Sequence, residues 1–192
     1  MRIIAGKYRG LLLKGPKHKG LRPTADRVRE ALFNIIGARI IEADFLDLFA
    51  GTGAIGIEAL SRGARWVVFT DQSLNSIKLL QENLKIVAAD TQWIILHSPA
   101  ESSLMRLAKD SLKFDLIFLD PPFEAVAQLL PQIITAIRDY RLLKENGWLI
   151  VEHPRKTEIS ALGFTRRLIR SYGDIGLSIF ELSSNAPSDK ES

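Results

Sequence analysis

The chain has 192 residues, no cysteine, 46% apolar and 25% charged residues, and a net charge of +4. These values are typical of a globular protein with a sizeable core; they exclude disulfides and thiolate metal sites, and fit a reducing cytoplasm. No run of 18 uncharged apolar residues occurs and the first residues lack a signal-peptide pattern, so we expect a cytoplasmic protein without a membrane-spanning helix.

The positive charge is concentrated at the N-terminus. Residues 1–30 contain nine Lys and Arg against two acidic residues, which gives +7 and leaves −3 for the other 162 residues. A basic segment on a slightly acidic body favours a nucleic-acid partner. A solvated, flexible tail is the alternative that charge alone leaves open.

Residues 1–40 are predicted to form a basic extension that contacts RNA and packs on the core. Two short strand-like pieces, 2–5 and 9–13, precede a loop rich in Lys, Gly and Pro. A helix is expected to follow, with Thr24 as its N-cap and its end near residue 36.

Residues 41–182 alternate between short apolar runs and amphipathic stretches. The runs are apolar on both faces, which predicts a doubly wound, mostly parallel, Rossmann-like α/β sheet. The predicted strands are 45–49, 66–69, 93–96, 116–119 and 147–151, with helices near 54–62, 73–87, 101–109 and 125–137. Segments 165–171 and 175–182 predict an antiparallel hairpin at the sheet edge, and the polar residues 183–192 predict a disordered tail.

A glycine-rich turn follows the first strand and opens a helix. Gly51 and Gly53 let the backbone approach a ligand closely. Asp71 lies 18 residues after Gly53, at the end of the second strand, where a carboxylate can accept both ribose hydroxyls of an adenosine. This pattern fits a nicotinamide dinucleotide as well as any other nucleoside cofactor.

Asp47, just before the turn, favours one kind of cofactor. Its carboxylate would repel a pyrophosphate and attract the ammonium group of a methionine moiety. S-adenosylmethionine has that ammonium group and no phosphate. A capping or surface aspartate at a strand end is the plainer alternative.

The fourth strand ends in Asp120-Pro121-Pro122-Phe123. Ligands bind at the carboxyl ends of strands in open α/β sheets. The Asp120 carboxylate and the Pro121 carbonyl can accept both hydrogens of an aromatic amine, which favours a pyramidal, nucleophilic nitrogen. Phe123 can stack on the base, whereas an ordinary Asp-Pro turn is the structural alternative.

The motifs Asp47-x-Phe49-x-Gly51-Thr52-Gly53 and Asp120-Pro121-Pro122-Phe123, with Arg22-Pro23-Thr24-x-x-Arg27-x-Arg29-Glu30-Ala31-Leu32-Phe33-Asn34, resemble the RsmD family. Its members are bacterial methyltransferases that act on a guanine N2 of 16S ribosomal RNA. The resemblance implies a seven-stranded methyltransferase sheet and the cofactor S-adenosylmethionine. It implies action on the small ribosomal subunit or an assembly intermediate, by an enzyme that we expect to be monomeric and without metal.

The expected site residues fall into three groups: at the cofactor Asp47, Phe49, Gly51, Thr52, Gly53, Asp71, Gln72, Ser98 and Ala100; at the guanine Asp120, Pro121, Pro122 and Phe123; and at the RNA Arg9, Lys19, Arg22, Arg27 and Arg29. Arg27 and Arg29 lie about 200° apart around the predicted helix. We therefore expect one to meet RNA and the other to pair internally.

Three other functions are considered. The same chemistry can act on adenine N6 in DNA or on a protein glutamine, although those enzymes often carry Asn and Tyr where this chain has Asp120 and Phe123. A dinucleotide-dependent dehydrogenase could use the glycine turn. A non-catalytic RNA-binding module is disfavoured by the intact Asp-Pro-Pro-Phe.

Overall fold

The computed structural model describes residues 1–15, 23–87 and 92–183. Its seven strands are β1 Asp44–Asp47, β2 Trp66–Asp71, β3 Gln92–His97, β4 Phe114–Leu119, β5 Leu143–Pro154, β6 Phe164–Tyr172 and β7 Ile175–Leu182. They form one sheet in the order β3-β2-β1-β4-β5-β7-β6. This confirms the predicted mostly parallel sheet with an antiparallel hairpin at its edge.

The order in which the strands are added to the sheet reverses between β1 and β4. The chain moves outward from β1 to β2 and β3, then returns to pair β4 in parallel with the other side of β1. β5 continues in parallel beside β4, and β7 pairs antiparallel with both β5 and β6. Open α/β sheets bind ligands at such a switch point, beyond the carboxyl ends of the strands.

Helices cover both faces of the sheet. They are α1 Pro23–Ile36, α2 Ala54–Ser61, α3 Leu74–Leu84, α4 Ala100–Lys109 and α5 Val126–Asp139, with short 3₁₀ helices at Gly37–Ile40 and Phe123–Ala125. One core joins α1, α2 and α3 to a sheet face, and the other core joins α4 and α5 to the opposite face. The two edge strands, β3 and β6, are exceptions to burial on both faces, since Trp93 is 40%, Ile94 44% and Ile169 45% exposed.

The first part of the N-terminal extension, residues 1–13, is a tight antiparallel turn with less regular strand structure than the two predicted strands. Ile3 N donates to Leu11 O at 3.0 Å, yet within the described residues 1–15 only Arg2 and Leu12 form a β-bridge. Gly6 has φ +83°, and a Cβ there would lie 1.8 Å from Ser61 O. Glycine at this position therefore lets the extension pack against the end of α2.

Glu58, fully buried in α2, holds the extension on the core. Its carboxylate accepts the backbone N–H groups of Ile4 at 2.8 Å and Ala5 at 3.0 Å, and Arg62 Nε at 2.7 Å. These two N–H groups bind a side chain more than 50 residues away instead of a partner strand. That distant partner explains why the strand prediction overestimates the length of regular structure here.

Several boundaries differ from those expected. α1 begins at Pro23, a residue suited to a first helical position, and not after Thr24. β5 begins at Leu143, four residues before the predicted start. The predicted tail lies outside the described residues apart from Ser183. In the described part of the chain, no helix is both long and apolar enough to span a bilayer.

Candidate active site

A cavity of about 210 Å³ lies at the switch point between β1 and β4. The extension, the glycine turn and the ends of three strands all contribute to its wall. Its lining residues are Met1, Val28, Arg29, Asp47, Phe49, Ala50, Gly51, Thr52, Ala54, Ile55, Phe118, Asp120 and Glu152. Five residues of the predicted cofactor and guanine groups therefore meet in one cavity, namely Asp47, Phe49, Gly51, Thr52 and Asp120.

The glycine turn requires left-handed backbone at two positions. Gly51 has φ +52° with open space where a Cβ would lie, and Gly53 has φ +78° with Leu80 Cδ1 2.2 Å from that position. The first glycine leaves room beside the cavity, and the second permits close packing on α3.

Asp71 supports this turn directly. One carboxylate oxygen accepts Gly51 N at 2.8 Å and the other accepts Ser73 N at 2.7 Å. Asp71 does not line the cavity itself. A carboxylate has about four acceptor positions, so two remain for ribose hydroxyls, and the ribose role stays a prediction.

Asp47 is 1% exposed at the end of β1. Its Oδ2 accepts Gly56 N at 3.0 Å, so it also satisfies a free N–H in the first turn of α2. Burial raises the pKa of Asp47 to about 7; the hydrogen bond from Gly56 opposes the rise, and the Asp120 and Asp71 carboxylates add to it. The capping alternative and the cavity-facing role are thus combined in one residue.

Asp120, directly after β4, and Glu152, two residues before the end of β5, form a carboxyl pair. Each directly follows one of two paired residues, Leu119 and Val151, and both line the cavity. Burial raises the pKa of Asp120, while burial and then the Asp120 charge raise the pKa of Glu152. Such a pair releases its protons more readily when a cation arrives beside it.

The remainder of the Asp-Pro-Pro-Phe motif lies outside the cavity lining. Pro121 is buried, whereas Pro122 is exposed and Phe123 is 44% exposed at the start of a 3₁₀ turn. An exposed aromatic ring three residues from a cavity carboxylate is suited to stack on a flat group that enters from the surface.

The remaining residues expected at the cofactor lie just beyond the ends of β2 and β3. The carbonyl of Gln72 is 3.2 Å from His97 Nε2, and Ser98 Oγ is 2.6 Å from Ser103 Oγ. Ala100 is the first residue of α4. None of Gln72, Ser98 and Ala100 is part of the cavity lining, so their contact with the cofactor stays a prediction.

The expected RNA contacts differ in exposure. Arg9 and Arg27 are exposed, whereas Lys19 and Arg22 lie outside the described residues. Arg29 is only 3% exposed and lines the cavity, so it is not available to a phosphate on the protein surface. The expected contact of Arg29 with RNA is therefore corrected. Of the two arginines in α1, Arg29 is the one that points inward and Arg27 is the one that is exposed.

Sequence reasoning did not single out Glu152 or Met1 as site residues. Glu152 had a usable signal, because it ends an apolar run beside the strand of Asp120. Met1 had none, since only the folded extension brings it to Thr52, with 3.9 Å between Met1 Sδ and Thr52 Oγ1. Among the described residues, no group of three His, Asp or Glu is placed to hold a metal ion.

The charge of the cavity distinguishes between nucleoside cofactors. Once ionised, Asp47, Asp120 and Glu152 would repel a pyrophosphate and attract a ligand with a sulfonium and an ammonium group, and they outnumber Arg29, the one cationic side chain among the described lining residues. The residues present therefore fit S-adenosylmethionine and not a dinucleotide. The sheet also departs from the dinucleotide-binding order 3-2-1-4-5-6, because the antiparallel β7 lies between β5 and β6.

This sheet and site define a Rossmann-like methyltransferase. The chain matches residues 1–181 to a family model described as conserved hypothetical protein 95, and it belongs to this family, the RsmD family.

Two curated relatives are called ribosomal RNA small subunit methyltransferase D. The Escherichia coli K12 protein is 38% identical over 152 residues, covering 79% of this chain and 71% of that protein. The Haemophilus influenzae protein is 36% identical over 152 residues, covering 79% and 78%. Among solved structures, yhhF from Escherichia coli is similar with a TM-score of 0.80 and 30% identity, covering 96% of this chain and 98% of that one.

Proposed function

We propose that this protein transfers the methyl group of S-adenosylmethionine to the exocyclic N2 of a guanine in 16S ribosomal RNA. The observation that carries the proposal is Asp120, which directly follows β4 and lines the cavity of the glycine turn, with Phe123 exposed three residues further on. The names of the relatives, small subunit ribosomal RNA methyltransferases, support the substrate class.

The cofactor supplies a methyl group on a positively charged sulfur. The Asp120 carboxylate and the Pro121 carbonyl accept hydrogen bonds from the two N2–H groups. These hydrogen bonds direct the nitrogen lone pair toward that methyl group. As the new N–C bond forms and the S–C bond breaks, N2 becomes cationic and then loses a proton to Asp120. Catalysis thus consists of positioning and hydrogen bonding, without a covalent protein intermediate.

In its ionised form, the carboxyl pair favours guanine over adenine. The Watson–Crick edge of guanine presents N1–H and N2–H side by side, and both can donate to carboxylate oxygens. Adenine presents an acceptor, N1, beside its amino group, and a carboxylate repels that acceptor. Asp120 with Glu152 as neighbour therefore suits guanine, whereas a neutral amide at Asp120 would accommodate adenine.

The proposal assigns RNA binding to the basic extension through Arg9, Lys19, Arg22 and Arg27. The enzyme would act in the cytoplasm as a monomer, on the small subunit or an assembly intermediate. A guanine inside an RNA helix would have to be flipped out to reach Asp120.

The test is mass mapping of methylated guanosines in ribosomal RNA from a strain that lacks this protein. We expect one N2-methylguanosine to disappear from 16S RNA and to return with the wild-type gene but not with Asp120→Ala. An unchanged set of N2-methylguanosines, or full restoration by Asp120→Ala, would contradict the proposal.

A further inference from the structure

Three cationic side chains lie at the edge of the sheet that holds the cavity, outside the site described above. Arg155 and Lys156 directly follow β5, and Arg170 is two residues before the end of β6; all three are exposed. The strands β5 and β6 end at the same edge, because each is antiparallel to β7. Arg155 N donates to Asp174 O at 2.8 Å, which fixes its turn beside the β6–β7 hairpin. We call Arg155, Lys156 and Arg170 the basic rim.

Arg170 lies on the face of the sheet that carries the cavity. Glu152 and Arg170 both pair with Leu177 of β7, so the three residues form a row across β5, β7 and β6. Residues paired in this way project from the same face, and Leu177 belongs to the core that contains the α1 side chains. Glu152 lines the cavity, and two strand spacings, about 10 Å between backbones, separate it from Arg170.

The cations of the basic rim have no acidic partner among the described residues, not even Asp174 in the adjacent turn. Arg170 Nη1 donates to the carbonyl of its neighbour Ile169 at 2.9 Å. Arg167, in the same strand, is by contrast held by Glu181 at 3.1 Å. A guanidinium without a carboxylate partner keeps its donors available for the oxygens of a phosphate.

The basic rim and the N-terminal extension lie on opposite sides of the cavity. Lys14 of the extension is held by Asn83 in α3, and α3 packs against β2 and β3. The basic rim lies at β5 and β6, beyond the other side of β4. An RNA strand that places one nucleotide at Asp120 would therefore extend toward basic side chains in both directions.

We propose that the basic rim binds phosphates of the RNA strand on one side of the target guanine, while the extension binds the strand on the other side. The inference rests on the proposed function and adds a second RNA-binding surface to it. Phosphate contacts fix the register and orientation of a nucleic acid and carry no sequence information. The two surfaces together thus set which nucleotide of the strand meets Asp120.

The test is filter binding of 16S ribosomal RNA, taken from a strain that lacks this protein, at salt concentrations from about 50 to 200 mM. Each phosphate contact on a single strand contributes about 0.7 to the slope of log affinity against log salt. We expect the triple variant Arg155→Gln, Lys156→Gln, Arg170→Gln to flatten the slope by about two units, and Arg170→Gln alone to flatten it by about 0.7. Calorimetry should give the wild-type affinity for S-adenosylhomocysteine, which establishes that the variants are folded.

The matched control is Arg166→Gln. Arg166 is exposed in the same strand and carries the same charge, but it pairs with Phe180, which belongs to the core on the opposite face of the sheet. This variant should keep the wild-type slope.

An unaltered slope in the triple variant, or the same flattening in Arg166→Gln as in Arg170→Gln, would overturn the inference while leaving the methyltransferase function intact. An unaltered slope together with lost methylation of assembled small subunits would also overturn it, and would indicate a ribosomal protein as the partner of the basic rim. Failure of the wild type to bind 16S RNA would reject the proposed function as well.

Discussion

Glu58→Gln should loosen the N-terminal extension from the core. The substitution keeps the shape of the side chain but replaces one acceptor oxygen by an NH₂ donor. The remaining oxygen can retain Ala5 N and Arg62 Nε, so the new NH₂ faces Ile4 N, which donates to Oε2 at 2.8 Å in the wild type. Arg29, 4% exposed at its side chain, also loses the nearby negative charge.

The expected cost follows from burial. A buried donor left without an acceptor costs about 1–3 kcal/mol, and removal of one member of a buried ion pair costs about 3–5 kcal/mol. The two costs describe overlapping contacts, so we expect a total loss of about 3–5 kcal/mol. For a domain of this size, that corresponds to a fall in Tm of roughly 6–20 °C.

The assay is urea unfolding followed by circular dichroism, with hydrogen exchange at the Ile4 and Ala5 amides. Both amides should exchange faster in Glu58→Gln. The control is Glu82→Gln, the same substitution in a pair with Lys14 whose side chains are 48% and 65% exposed, and it should cost no more than about 1 kcal/mol. A loss below about 1 kcal/mol in Glu58→Gln, with the two amides still protected, would refute this account of the extension.

Four further expectations concern the site and the RNA. Asp120→Ala should abolish methyl transfer with little change in S-adenosylhomocysteine affinity by calorimetry; substantial turnover would exclude the two-acceptor mechanism. Phe123→Ala should weaken use of the RNA by roughly 1–3 kcal/mol in kcat/KM if the ring stacks on the base, and an unchanged kcat/KM would remove Phe123 from the site. Because the pKa values of Asp47, Asp120 and Glu152 are raised, the native state holds protons that the unfolded state has lost, and the free energy of unfolding of the ligand-free protein should fall from about pH 5 to pH 7. Urea unfolding should show a smaller fall in Glu152→Gln than in the wild type. The same dependence on pH in both proteins would contradict the raised pKa of Glu152. Replacing Arg9, Lys19 and Arg22 together should flatten the dependence of log RNA affinity on log salt by roughly two units, whereas an unaltered slope would identify the basic segment as a solvated tail.

The pattern of apolar runs was sufficient for the sheet, because burial on both faces leaves a continuous local signal in each central strand. The ends of elements depend on contacts that are distant in sequence. β5 extends back to Leu143, which pairs with Phe114, and the register then shifts before Leu116 pairs with Trp148. Nothing in residues 143–146 alone indicates this pairing.

The site residues that lie at or directly after the end of a strand were predictable from the sequence. Asp47 and Asp120 could be placed together because β1 and β4 are neighbours at the switch point. The roles of Asp71 and Arg29 could not be placed in the same way. The backbone groups that occupy Asp71 and the burial that separates Arg29 from Arg27 both depend on the folded chain.

The division predicted near residue 40 separates two segments of the chain but not two functions. Met1, Val28 and Arg29 come from the extension, and they line the same cavity as Asp47 and Asp120 from the sheet. Asn83 in α3 strengthens this connection. Its side chain accepts a hydrogen bond from Lys14 N and donates to Lys14 O, and it also donates to Thr52 O at 2.8 Å. The described part of the extension and the glycine turn therefore build one cavity wall together, and a substitution that loosens either should also change the cavity.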